Sequence, residues 1–236
     1  AFHVDAALPL GRLNYSVGPT FCSNDVFTIL VCGRSGHGAR PHQAVDAINA
    51  SAHIVTGLET LIARETIPTE TCMLTVCSIE SDSKTFNVFP KTVTLTGSIR
   101  TYNPDQRAVL VSRLEVVEGI ARSFNCTGQV SFDHQQEPLL VDRQLETELR
   151  AYLEEALGNE GTVVEPPIMK MGSEDFACVT MRVPSAYFFI GAGPDRENGY
   201  PYSQHNPKVR FNEDMLPLGA AGYAYCADRW LEHNGI

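Results

Sequence analysis

Between Asp25 and Asp133 the hydrophobic period of the chain switches in a readable order, and that order constrains the fold more than any other feature. Val26-Phe27-Thr28-Ile29-Leu30-Val31-Cys32 is apolar and β-branched, which suits a strand. Pro41-His42-Gln43 leads into apolar residues at Ala44, Val45, Ile48, Ile54, Val55, Leu58, Leu61 and Ile62, a helical spacing with one face inward. Thr71 to Ile79 and Thr92 to Thr101 then alternate as half-buried strands do. Asn103 and Pro104 are suited to the N-cap and first position of a helix carrying Leu110, Leu114, Val117, Ala121 and Phe124. Gln129 to Phe132 closes the segment as a strand. The order β-α-β-β-α-β predicts a ferredoxin-like unit, a four-stranded antiparallel sheet with two helices on one face.

Outside that unit the pattern is different. A helix is expected from about Arg143 to Leu157, a short strand at Val163-Val164, a helix after Ser173 and a strand over Ser185 to Ile190. A Gly/Pro-rich loop, Gly191 to Pro207, precedes a last helix from about Glu213 to Glu232. Strands alternating with helices indicate an α/β layer. The expected fold class is therefore α/β: residues 1–23 and 134–236 form part of one domain, and the ferredoxin-like unit, 24–133, is inserted between them.

Composition excludes some functions. A formal charge of −10 without a basic stripe argues against nucleic acid or anionic membrane as a partner. RNA-binding modules share the β-α-β-β-α-β order but need exposed aromatics and a positive sheet face, which this segment does not clearly supply. The longest apolar runs fall far short of the roughly 20 residues that span a bilayer. Seven cysteines without CxxC pairing, mostly among aliphatic neighbours, read as small core residues and reduced thiols of a cytoplasmic protein. The chain opens Ala1-Phe2-His3-Val4 without Met, as if inside a buried strand, so the start is expected to lie upstream.

Polar residues in settings that ask for explanation are His3, His37, His42, Asn87, Arg100, Glu174, Asp175 and His205. His3 lies in a strand-like Phe2-His3-Val4-Asp5, where a core histidine is the simpler reading. His205 lies in a loop, Gln204-His205-Asn206-Pro207, where function concentrates. The interrupted-domain topology would let these two meet, and imidazoles are good zinc ligands. No HExxH, HxH or second carboxylate cluster accompanies them, so spacing alone does not define a metal site.

Phe2-His3-Val4-Asp5-Ala6-Ala7-Leu8-Pro9-Leu10-Gly11 is followed by Gly33-Arg34-Ser35-Gly36-His37-Gly38-Ala39-Arg40-Pro41-His42 and Asp46-Ala47-Ile48. Then come Phe86-Asn87-Val88-Phe89-Pro90, Gly97-Ser98-Ile99-Arg100-Thr101, Gly172-Ser173-Glu174-Asp175-Phe176, and His205-Asn206-Pro207 with Phe211-Asn212-Glu213. In this order the blocks resemble the zinc metallopeptidases and amidohydrolases of the aminoacylase, hippurate hydrolase, indole-acetyl-amino-acid hydrolase and carboxypeptidase G type. The resemblance covers essentially the whole chain.

It implies a metal-dependent hydrolase of the amide bond in N-acyl amino acids or small peptides, with two divalent ions, zinc or alternatively manganese or cobalt. His3 and His205 match metal ligands. His37 matches a lid histidine that reaches a neighbouring subunit's site and stabilises the oxyanion, a role worth roughly 3 to 4 kcal/mol of barrier; His42 could share or replace it. Asn87, Arg100 and Glu174 match substrate-contacting positions, Arg100 suiting a carboxylate. The inserted unit would be a lid through which a homodimer forms. The resemblance also implies a ligand motif and paired glutamates, one of them the general base, that lie N-terminal to His3 and are absent from these residues, so the chain is expected to be an incomplete and by itself inactive part of the enzyme. The alternative is a catalytically inactive remnant serving as a dimerisation or ligand-binding module.

Overall fold

Three short strands begin the chain, β1 (Phe2–Pro9), β2 (Leu13–Tyr15) and β3 (Gly18–Phe21). Gly11, between the first two, has φ of 79°, a left-handed turn that favours a residue without Cβ. The computed structural model describes residues 1–157, 169–193, 202 and 204–235. It divides into two compact units: Ala1–Thr20, Leu140–Lys170 and Phe176–Ile236 form one, and Phe21–Leu139 with Met171–Asp175 the other.

The second unit contains the predicted β-α-β-β-α-β order. Its strands are β4 (Asn24–Cys32), the two-residue β5 (Gly36–His37), β6 (Cys72–Ser81), the two-residue β7 (Val88–Phe89), β8 (Thr92–Thr101) and β9 (Thr127–Gln136). Its helices are α1 (Ala47–Glu65), α2 (Pro104–Arg113) and α3 (Val116–Ser123). The main sheet runs β6-β8-β4-β9 with every neighbouring pair antiparallel. Strict alternation turns Phe27, Ile29 and Val31 of β4, with Val93, Leu95 and Ile99 of β8, into a core shared with Ile54, Leu58 and Leu61 of α1 and Leu110, Leu114 and Val117. Gly97 is required where it stands: a Cβ there would lie 2.1 Å from the Thr75 carbonyl oxygen and 2.5 Å from the Phe27 ring.

Local signals set the boundaries. Asp46 caps α1 by accepting from the Ile48 and Asn49 N–H groups, and Asn103 caps α2 by accepting from Asp105 and Gln106. The single helix expected after Asn103 is two. At the break, Glu115 N–H donates to Ser112 and Val117 N–H to Leu114, so the chain tightens into i to i−3 bonding while its apolar stripe continues inward. Cys77 sits where the β6–β8 register shifts, between Val76 and Ser78, and is exposed rather than a core residue; the irregularity overrides the alternation there.

The first unit continues with β10 (Leu139–Val141), α4 (Arg143–Leu157), the four-residue α5 (Ala177–Thr180), β11 (Phe188–Gly193) and α6 (Met215–Asn234). Its three-stranded sheet is ordered β1-β11-β2, with β1 parallel and β2 antiparallel to β11. As the central strand, β11 is buried at every residue. Leu13, Tyr152, Leu153, Phe188, Ile190 and Cys226 form its core, flanked by Phe2, Val4, Leu149 and Trp230. The strand expected at Ser185 to Ile190 lies later because the Ser185 carbonyl receives the Asp142 N–H instead of entering the ladder. The helix expected after Ser173 amounts to α5 alone, Cys178 within it is exposed, and the strand expected at Val163-Val164 falls outside the described residues. Among the described residues no helix is long and apolar enough to cross a membrane.

Candidate functional site

In the first unit, β1 carries His3 and pairs it with Phe189 of β11. The ring is half-buried, with centroids 6.0 Å from Tyr187 and 5.9 Å from Phe189. His3 Nδ1 lies 2.7 Å from the Val4 carbonyl oxygen. A carbonyl only accepts, so Nδ1 carries the proton and Nε2 is the nitrogen with the lone pair, the state in which imidazole binds a metal. Two residues on, Asp5 pairs with Lys170 Nζ at 3.0 Å, and that ammonium sits 3.9 Å above the Phe189 ring. Burial, the largest influence on Asp5, pushes its pKa up, but the Ala7 N–H and Lys170 outweigh it and hold the carboxyl below its usual range.

His205 lies in the loop before α6, exposed, with a left-handed φ of 67°. Its neighbour Gln204 donates through Nε2 to the Val4 carbonyl and lies 3.5 Å from His3 Nδ1. The first unit thus brings the loop of His205 to the strand of His3. Two imidazoles are donors that zinc, manganese and cobalt accept. Among the described residues no group of three or more His, Cys, Asp and Glu is assembled, so the pair fits part of a coordination shell.

In the second unit the candidate residues form two groups. β5 and β7 make a short ribbon that pairs His37 with Val88, and the Gly38 N–H donates to the Asn87 carbonyl at 2.7 Å. His37 is exposed, and its Nδ1 accepts from the Ala39 N–H at 3.0 Å. In the neutral ring this leaves the proton on Nε2, a donor that faces away from the local backbone bond. His42, in the turn Pro41–Gln43, is exposed as well. Asn87, also exposed, immediately precedes β7.

The other group is at the far end of β8. Arg100 is half-buried, and its Nη1 donates to the Met171 carbonyl at 3.0 Å, close to Cys22 Sγ at 3.9 Å. Cys22 donates its thiol to the same carbonyl at 2.8 Å and its N–H to Gly172 at 3.1 Å. The two side chains therefore clamp the segment that carries half-buried Glu174. Burial, partly opposed by Arg100, pushes the Cys22 thiol pKa up, so it stays a protonated donor. Sequence reasoning missed Cys22, Met171 and Gln204; each acts through a contact across a long sequence separation, and none has a local signature. From Thr92, next to the ribbon, to Arg100 is eight residues of extended strand, about 26 Å at about 3.3 Å per residue.

Residues 26–117 match the family model described as the M20 peptidase dimerisation domain. The chain is 31% identical over 98% of its length to IAA-amino acid hydrolase ILR1-like 2 of Arabidopsis thaliana, covering 52% of that protein. Among solved structures, a candidate aminohydrolase from methicillin-resistant Staphylococcus aureus superposes with a TM-score of 0.85 at 28% identity, over 96% of this chain and 57% of that one. A dinuclear metal binding peptidase of the M20 family from Bacillus subtilis shares the fold, with a TM-score of 0.72 at 21% identity over 98% of this chain and 56% of that one. The stretch of the second unit from residue 26 to 117 is therefore similar to the dimerisation domain of the M20 peptidases. The chain's homologues are IAA-amino acid hydrolases, carboxypeptidases and other amidohydrolases, and it spans about half the length of the curated relatives it matches.

Proposed function

We propose that this chain belongs to a homodimeric, metal-dependent amidohydrolase that cleaves N-acyl amino acids or small peptides, and that it carries part of the active site. The observation that carries this reading is the approach of the His205 loop to His3 across some two hundred residues of chain, seen in the contacts of Gln204 with Val4 and His3. His3 and His205 would hold one or both of two divalent ions, zinc by preference. When bound, such ions supply Lewis acidity toward water and the amide carbonyl.

The chain's own residues then divide the remaining work. Arg100 presents a planar fork to the substrate carboxylate, with Glu174 on the segment that Arg100 and Cys22 clamp at Met171. His37 donates Nε2–H to the oxyanion that develops on the carbonyl, with Asn87 next to it and His42 as the alternative donor. The length of about 26 Å along β8 between Thr92 and Arg100 supports a homodimer, in which the ribbon would serve a neighbouring copy's site. All seven cysteines are free, which fits the reducing cytoplasm.

The test is metal analysis of the full native protein together with turnover on a panel of N-acyl amino acids. About two divalent ions per chain and release of the free amino acid are expected. A protein that holds no metal after reconstitution and cleaves none of the panel overturns the reading and leaves the inactive module in its place.

A further inference from the structure

The loop that presents His205 is held at several points. Asn206 closes an Asx turn by accepting from the Lys208 N–H at 2.9 Å, and its carbonyl receives the Val209 N–H, also at 2.9 Å. Lys208 Nζ lies 5.5 Å from the centre of the Tyr202 ring. Asn212 N–H donates to the Ala192 carbonyl at the end of β11 at 2.8 Å. These ties order the loop. His205 itself has a left-handed backbone, a conformation that a residue with Cβ holds only when its surroundings enforce it.

A tie between the two histidine segments is the Gln204 side chain. Its Nε2 donates to the Val4 carbonyl, the same oxygen that accepts the His3 Nδ1 proton at 2.7 Å. One acceptor thus takes two donors, one from the ring on β1 and one from the residue before His205. We propose that Gln204 is a positioning residue that fixes His205 relative to His3 through this shared carbonyl, so that both imidazoles are already set in place when the divalent ions bind. The inference rests on the reading of His3 and His205 as ligands. Residues that orient metal ligands from outside the coordination shell typically change affinity 10- to 100-fold when removed.

Gln204→Met keeps the length of the side chain and removes its donor. The experiment uses the full native protein, stripped of metal, with zinc added against a competing chelator while the imidazole nitrogens of His3 and His205 are followed by ¹⁵N NMR. In the wild type both rings should respond at the same zinc concentration, with His3 protonated at Nδ1 beforehand. In Gln204→Met the joint response should need at least tenfold more zinc while the thermal midpoint stays near the wild-type value. Lys208→Ala, which loosens the same loop without touching His3, should bind zinc as the wild type does. Equal affinity in Gln204→Met and wild type, or equal losses in Gln204→Met and Lys208→Ala, overturns the positioning role alone. A wild type in which neither ring responds to zinc overturns the ligand reading and the positioning role with it. If Gln204→Met does not fold, Gln204→Leu is measured by the same criteria.

Discussion

Asp25 is fully buried on β4, and its carboxylate meets the Arg107 guanidinium through contacts at 2.8 and 2.9 Å, with Glu137 on the other side of the arginine. Arg107→Ala would strand that carboxylate without its partner. The expected loss is about 3 to 5 kcal/mol of unfolding free energy, measured by urea denaturation. Glu146 is only 1% exposed on α4, with Arg150 Nε at 3.3 Å. Burial, the largest influence, raises its pKa above the ordinary 4.5, and Arg150 only partly offsets it. A carboxyl whose folded pKa is raised binds its proton more tightly when folded, so its contribution is complete below 4.5 and is lost as pH rises through the folded value. Glu146→Gln has no proton to lose, so its stability relative to wild type should increase from pH 4.5 to pH 7 in denaturant titrations; a constant difference would refute this. At this scale the sequence was partly legible. It singled out His37, Asn87 and Arg100 as candidates through their setting, but that Met171 occupies an Arg100 donor, or that Gln204 contacts Val4, depends on contacts that only the fold creates.

Elements were more legible where one local rule acts alone. The caps at Asp46 and Asn103, and the alternation of β4 and β8, are written in a few adjacent residues. The β5–β7 ribbon was not, because two-residue strands carry no period, and the division of α2 from α3 leaves the apolar spacing intact. The two faces of the main sheet make a quantitative contrast. Leu58 of α1 is fully buried against the inner face, so Leu58→Ala should cost about 2 to 5 kcal/mol. Met73 of β6 is 37% exposed, and Met73→Ala should stay within about 0.5 kcal/mol. Similar losses from the two, measured by thermal unfolding, would mean that α1 does not cover the sheet.

Across the whole molecule the seven free thiols report on packing at once. Cys77 and Cys178 are exposed, Cys32 and Cys72 half-buried, and Cys22, Cys126 and Cys226 buried. Burial pushes the Cys226 thiol up to about 11. At pH 8 an aromatic disulfide reagent should therefore label Cys77 and Cys178 first and the buried three only after unfolding; early modification of Cys226 would contradict the packing of α6 on α4. The parallel pairing of β1 with β11 also bears on how the molecule is made, since Phe2 waits for Phe188. At about 5 to 20 residues per second, a ribosome leaves β1 without its partner for about 10 to 40 s. The main sheet, drawn from the continuous stretch 24–136, is complete well before then. Phe2 and Val4 thus pack in the folded unit on residues made about 185 positions later, so β1 is completed by a contact of high sequence separation, of the kind that slows folding.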